Sequence, residues 1–256
     1  MQDELKITVV QFDPQWHEAE ANREHLSKLL LPLAGKTDLI VLPETFTTGF
    51  DAIKTKQLAE VKNGPTTRWM RGIAQETKAA VMGSFYFREL NRIIRNRLMF
   101  CEINGNVTSY DKIHLFRPGK EHAYVTPGRK RPILKWKGWK ILPALCFDLR
   151  FPHDLYNTMR EGELSYDIMI CPASWPAVRM NAWDTLLKAR AIENYAYTIG
   201  VNRIGMDGNN MQHSGHTQVN SPLGTTIAML PENKEAVATV TLNKEQLQKP
   251  RVWLKA

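Results

Sequence analysis

Apolar, β-branched runs recur along the chain at residues 6–12, 38–42, 79–87, 98–103, 107–110, 140–145, 167–171 and 197–201. They are short and bounded by turn formers, so each reads as a buried strand. Between them the apolar positions recur at helical spacing. Residues 18–33 and 66–78 form two such stretches, the second opening after Gly64-Pro65 with Thr66 or Thr67 as its cap and with Trp69 and Ile73 one turn apart. A third, residues 182–195, carries Trp183, Leu186, Leu187, Ala191 and Tyr195. Asn104-Gly105 lies between two strand runs and predicts a tight hairpin, because both residues tolerate the positive φ of a type I′ turn. The sheet is therefore expected to be mixed. Asp207-Gly208-Asn209-Asn210 and Pro222-Leu223-Gly224 punctuate further strands at 215–220, 225–230 and 236–242. No linker, repeat or composition shift interrupts this pattern, which predicts one α/β domain over 1–256 with helices outside paired sheets.

Composition narrows the class. Hydrophobic residues at 43% and charged residues at 23% are globular values, which removes disordered and collagen-like chains. No stretch approaches the ~20 apolar residues of a membrane helix, and the start MQDELKITVVQFDP lacks the basic opening and long apolar run of a signal peptide. A cytoplasmic protein without a membrane partner is expected. Cys101, Cys146 and Cys171 are too few for a disulfide framework. The net charge of +8 admits an acidic partner such as nucleic acid, but the basic residues are scattered apart from clusters at 88–97 and 129–140, and no nucleic-acid motif accompanies them. No nucleic-acid partner is expected. The chain closes soon after Trp253, so little tail is expected for subunit exchange.

Three segments carry candidate chemistry. In Leu42-Pro43-Glu44-Thr45-Phe46 a carboxylate follows a buried strand, where open α/β sheets place ligands; a turn cap is the plainer reading. In Tyr110-Asp111-Lys112-Ile113-His114-Leu115-Phe116 a lysine stands among apolar residues. Such a lysine keeps its charge only beside carboxylates and can then stabilise an oxyanion or thiolate, whereas a solvated loop lysine does neither. In the run 141–152 a strand delivers Cys146 to a sharp turn, with a helix expected from Pro152. That arrangement is a nucleophile elbow, which exposes the thiol and aims the next backbone N–H at a developing oxyanion. The helix N-terminus and the lysine are expected to lower the thiol pKa. An inert buried cysteine is the alternative, and it suits Cys101 and Cys171 better.

Taken in order, Pro43-Glu44, the Lys112 segment, Gly119-Lys120-Glu121-His122, Cys146-Phe147-Asp148-Leu149-Arg150-Phe151-Pro152, Cys171-Pro172-Ala173-Ser174-Trp175-Pro176 and the run 189–194 resemble the nitrilase superfamily of carbon–nitrogen hydrolases over nearly the whole chain. The resemblance implies a four-layer αββα sandwich with mixed sheets, a homodimer paired through its helices, and neither metal nor organic cofactor. It implies Glu44 as general base and acid, Lys112 as electrostatic stabiliser, Glu121 as a second carboxylate and Cys146 as nucleophile, with the Phe147 N–H at the oxyanion. Phe147 stands where Tyr or Trp is more usual, a change of little consequence if only the backbone acts. Within the family the chain is similar to the omega-amidase branch, which hydrolyses the terminal amide of 2-oxoglutaramate or 2-oxosuccinamate; another aliphatic amidase or nitrilase is the near alternative.

An acidic substrate tail wants a fixed cation, and Arg117 and Arg179 are the candidates, with Phe116 and Trp175 as an apolar wall. Arg150 is expected instead to pair with a structural carboxylate. A rival mechanism uses His114, His122 or His153 as the base of a Cys–His hydrolase, and a rival class is a basic nucleic-acid-binding protein with an incidental thiol.

Overall fold

The computed structural model describes residues 3–252. Met1, Gln2 and Trp253 lie outside them. The first half of the chain builds one sheet. β1 (Glu4–Gln11) is followed by α1 (Ala19–Leu30), β2 (Leu39–Val41), the short α2 (Thr55–Leu58), α3 (Pro65–Thr77), β3 (Ala80–Arg88), β4 (Ile94–Cys101) and β5 (Val107–Asp111). The second half contains α4 (Glu121–Tyr124), β6 (Leu134–Trp136), β7 (Trp139–Pro143), the two-residue strands β8 (Met159–Arg160) and β9 (Glu163–Leu164), and β10 (Ile168–Ala173). After these come α5 (Met180–Asn194), β11 (Tyr197–Asn202), β12 (Ile204–Met206), β13 (Gln212–Ser214), β14 (Gln218–Asn220), β15 (Thr226–Met229), β16 (Ala236–Asn243) and α6 (Lys244–Arg251).

Two mixed sheets result, ordered β16-β1-β2-β3-β4-β5 and β15-β14-β11-β10-β7-β6. Each has three parallel strands at its centre, β1-β2-β3 and β7-β10-β11, flanked by antiparallel ones. Period-two alternation sends Leu5, Ile7 and Val9 of β1 to one face, where they join Leu39, Val41 and Met82 against Ile141, Ile168, Ile170, Ile199 and Val201 of the other sheet. The opposite face of the first sheet, with Val10, Ile40 and Val81, takes Leu26 and Leu30 of α1 and Met70, Ile73 and Ala74 of α3 at i, i+3, i+4 spacing. Met169 and Cys171 on the outside of the second sheet take Trp183 and Leu187 of α5. Gly200 permits that approach, since a Cβ there would collide with Leu187 and Trp183. The layers run helix, sheet, sheet, helix, the expected αββα sandwich. Among the described residues no helix is long and apolar enough to cross a membrane.

Three local expectations are corrected. The cap of α3 is Gly64, with Pro65 opening the helix through its fixed φ, and Thr66 and Thr67 lie buried inside the first turn. The β4–β5 connection is wider than a two-residue hairpin: only Gly105 has positive φ, while the Asn104 side chain accepts the Asn106 N–H at 2.9 Å and closes the turn itself. No α-helix starts at Pro152. Residues Cys146–Arg150 and Pro152–Leu155 form two 3₁₀ turns, broken at Phe151 (φ −116°, ψ 83°), which its following proline keeps out of the helical region.

Candidate active site

The parallel strands of the two sheets end at a common edge. Glu44 lies just past β2, Cys146 just past β7 and Ser174 just past β10, and the Glu44 N–H donates to the Ala173 carbonyl across the sheets at 3.4 Å. Side chains set beyond strand ends on a rigid frame converge there.

Glu44 is fully buried. Its Oε1 accepts Lys112 Nζ at 2.8 Å and Asn96 Nδ2 at 2.8 Å, and its Oε2 accepts the Ser174 backbone N–H at 3.0 Å. Lys112, one residue past β5, also donates to Glu121 Oε2 at 2.9 Å. Two of its three ammonium donors are thus engaged, which leaves one for a ligand in the cavity it lines. Glu121 opens α4, is fully buried, and further accepts the Phe116 N–H at 2.6 Å and Asn96 Nδ2 at 3.0 Å. Asn96 therefore donates to both glutamates. Its Oδ1 is buried without a partner, and turning the amide round would aim that oxygen at two carboxylates, so the orientation is fixed.

Electrostatics follow from burial. Desolvation alone would lower Lys112, but Glu121 and Glu44 outweigh it and hold the ammonium well above its usual range. Glu121 is raised by burial first and by the Glu44 charge, against the pull of Lys112. Lys112→Met strands two buried carboxylates and removes the free donor. Turnover is expected to fall about 10²–10³-fold, and thermal melting of the variant is expected to show a clear loss of stability.

Cys146 sits at a sharp turn just past β7, with φ of 43°, a left-handed value uncommon for a residue with a side chain. Its Sγ faces the Ser174 carbonyl at 3.8 Å. The expected depression of its pKa is overturned: burial, then the Glu44 charge, push the thiol well above its usual range, with Lys112 opposing. The helix that was to lower it is absent, and a 3₁₀ turn has little dipole to offer. Cys146 is therefore a neutral thiol near pH 7. Cys101 and Cys171 sit inside β4 and β10, fully buried, with Cys101 pushed up to about 12 by desolvation.

Glu44, Lys112 and Cys146 line one cavity of about 370 Å³, walled by Phe50, Ile53, Phe116, Met211 and His213 among others. A second lobe of about 330 Å³ shares Cys146 and adds Phe147, Arg150 and Trp175. Glu121 lines neither lobe and stands behind Lys112. Phe116 and Arg179 line both lobes, and Trp175 walls the second. Arg117 is exposed and lines neither. The pairing expected of Arg150 is also corrected: its guanidinium lies 5.0 Å from the Trp175 ring, and that of Arg179 lies 5.2 Å from Phe116. Among the described residues neither arginine has a carboxylate partner. Burial lowers Arg179 from its usual range, and the Arg150 charge adds to that against the opposing pull of Cys146. Of the histidines, His114 pairs with Asp154 and stacks on Phe151, and neither it, His122 nor His153 lines the cavity. The residues that the motifs did not single out are Asn96, Ser174 as a ligand of Glu44, and His213. Among the described residues no cluster of three or more His, Cys, Asp or Glu is arranged for a metal ion.

A buried thiol, two carboxylates and a lysine thus meet at the edge of an αββα sandwich, beside a cavity that the thiol, Glu44 and Lys112 line. The carbon-nitrogen hydrolase family model matches residues 6–251, and the chain belongs to that family of enzymes, which hydrolyse carbon–nitrogen bonds. It is 40% identical over 224 residues to the omega-amidase YafV of Escherichia coli K12, covering 88% of this chain and 84% of the relative. It is 26% identical to the 2-oxoglutaramate amidase of Bacillus subtilis, covering 87% and 85%. The crystal structure of XC1258 from Xanthomonas campestris, described with an arsenic adduct in its active site, superimposes with a TM-score of 0.96 at 40% identity, covering 100% and 96%.

Proposed function

We propose that this enzyme is an omega-amidase: it hydrolyses the terminal amide of a small carboxylated amide, 2-oxoglutaramate or 2-oxosuccinamate, through a Cys146 thioester, without a cofactor. The observation that carries the substrate class is the pair Arg150 and Arg179 at the cavity, both without a carboxylate partner among the described residues and both seated on aromatic rings. A guanidinium fork engages a carboxylate bidentately, and the adjacent 2-oxo oxygen gives the second arginine an acceptor. The omega-amidase and 2-oxoglutaramate amidase among the relatives support this class.

In the mechanism Glu44 takes the thiol proton as Sγ attacks the amide carbon. The new oxyanion meets the free Lys112 donor and the Phe147 N–H, one of the first donors of a helical turn, which lack acceptors within it. Glu44 then passes the proton to the nitrogen, ammonia departs, and the acyl group stays on sulfur. Water, deprotonated by Glu44, attacks the thioester and releases the acid while the thiol regains its proton. Glu121 holds Lys112 in place and offsets its charge.

Ammonia release measured over carboxylated and neutral amides of equal length tests the reading. The carboxylated amides should be preferred, and Arg179→Ala or Arg150→Ala should raise their KM about tenfold or more, while neutral amides barely respond. Equal turnover of neutral amides, unmoved by either substitution, would instead identify a general aliphatic amidase. The same reading takes the enzyme as one cytoplasmic domain over 1–256 that pairs into a homodimer; the exposed Ile192 on α5, Leu223 in the β14–β15 turn, and Ile227 and Met229 on edge strand β15 support the pairing.

A further inference from the structure

We propose that His213 is a positioning residue that acts through Ser174 to hold the Cys146 thiol and the Glu44 carboxylate in register. The inference rests on the reading of those two as nucleophile and base. Ser174 touches both: its backbone N–H donates to Glu44 Oε2 at 3.0 Å and its carbonyl receives the Cys146 thiol at 3.8 Å. Its third polar group, the hydroxyl, lies 3.2 Å from His213 Nε2.

The tautomer of that imidazole is set by its other nitrogen. His213 Nδ1 lies 2.9 Å from the Met211 carbonyl, which can only accept, so Nδ1 carries the proton and Nε2 is bare. The Ser174 hydroxyl therefore donates to His213. His213 is 1% exposed and sits in β13, whose hairpin with β12 forms the cavity wall carrying Asp207, Asn209 and Met211. The following residue is clamped as well: the Trp175 N–H donates to Asn202 Oδ1 and Asn202 Nδ2 donates to the Trp175 carbonyl. Ser174 is thus held from its hydroxyl on one side and from its neighbour on the other, and the peptide groups that meet Glu44 and Cys146 inherit that placement.

A histidine in a thiol hydrolase invites the role of base, and this one does not suit it. Its lone pair is engaged by the serine, and burial, aided by the Arg203 charge and opposed by Asp207 and by the Met211 and Gly205 carbonyls, lowers it to about 4, so the ring is neutral near pH 7. A neutral acceptor is what a serine hydroxyl needs.

The test is a set of variants assayed by ammonia release and by the rate at which iodoacetamide alkylates Cys146, a readout independent of substrate binding. His213→Phe, which keeps the ring and removes the acceptor, should lower kcat about tenfold, the loss that one neutral hydrogen bond supports, with KM changed less than twofold and the alkylation rate altered. His213→Gln, which restores an acceptor, should recover most of that loss. Ser174→Ala combined with His213→Phe should be no worse than either alone. Multiplying losses in the double variant, a defect confined to KM, or a His213→Gln variant as impaired as His213→Phe would each overturn the proposal. Should Cys146→Ala retain activity, the underlying mechanism has failed; should Cys146→Ala be inactive and His213→Phe behave as the parent, only the role of His213 has.

Discussion

Cys146→Ala is expected to abolish turnover, with kcat lower by about 10⁶-fold, the scale on which removal of an enzyme nucleophile is felt. The fold should survive, because the substitution removes one sulfur whose only close polar contact among the described residues is a 3.8 Å approach to the Ser174 carbonyl. Substrate affinity should also survive, since Arg150 and Arg179, the proposed tail-binding groups, are untouched. A binding measurement on the inactive variant, paired with its ammonia-release rate, separates chemistry from recognition. The neutral resting state of Cys146 makes this residue more dependent on its partners than a free thiolate would be.

That dependence sets the second expectation. Glu44→Gln should cost about 10²–10⁴ in kcat, the range for a general base and acid. Every oxygen of Glu44 faces a donor: Lys112 and Asn96 at one, the Ser174 N–H at the other. A glutamine must point its NH₂ at one of these donors in either orientation, so the variant loses the base and gains a mispaired donor. The pH profile should separate the two effects: the residual rate of Glu44→Gln should rise as pH rises, because hydroxide and spontaneous thiol ionisation then replace the missing base.

The strands were legible because burial on both faces leaves continuous apolar runs, as in β2 and β10, and because a two-residue period marks β1. The αββα order itself came from the family resemblance. β13 was not legible, since a three-residue strand of Gln, His and Ser carries no hydrophobic period. The site divides in the same way. Glu44 and Cys146 directly follow apolar strands, a position that local pattern exposes. Asn96 reaches Glu44 across 52 positions of sequence, and nothing near it distinguishes a bridging amide from a polar residue on a strand. Arg117 and Arg179 are alike as letters. Phe116 turns toward the cavity and its neighbour therefore faces solvent, and only the backbone of that turn decides between them. For Arg150, pattern places a charge near the elbow but cannot show that its neighbour is an indole ring. The thiol's pKa has a related origin: a lysine in sequence suggests a lowered value, whereas desolvation and the Glu44 charge are properties of the packed site.

The central claim is that the acyl group of the substrate rests on Cys146 during turnover. Rapid acid quench of the enzyme in steady state on 2-oxoglutaramate, followed by intact-mass and peptide-mass measurement, tests it directly. The expected result is a mass gain equal to the substrate less ammonia, located on the peptide containing Cys146 and absent from Cys146→Ala. Parental ammonia release by Cys146→Ala, with no acyl group on that peptide in the parent, would contradict it.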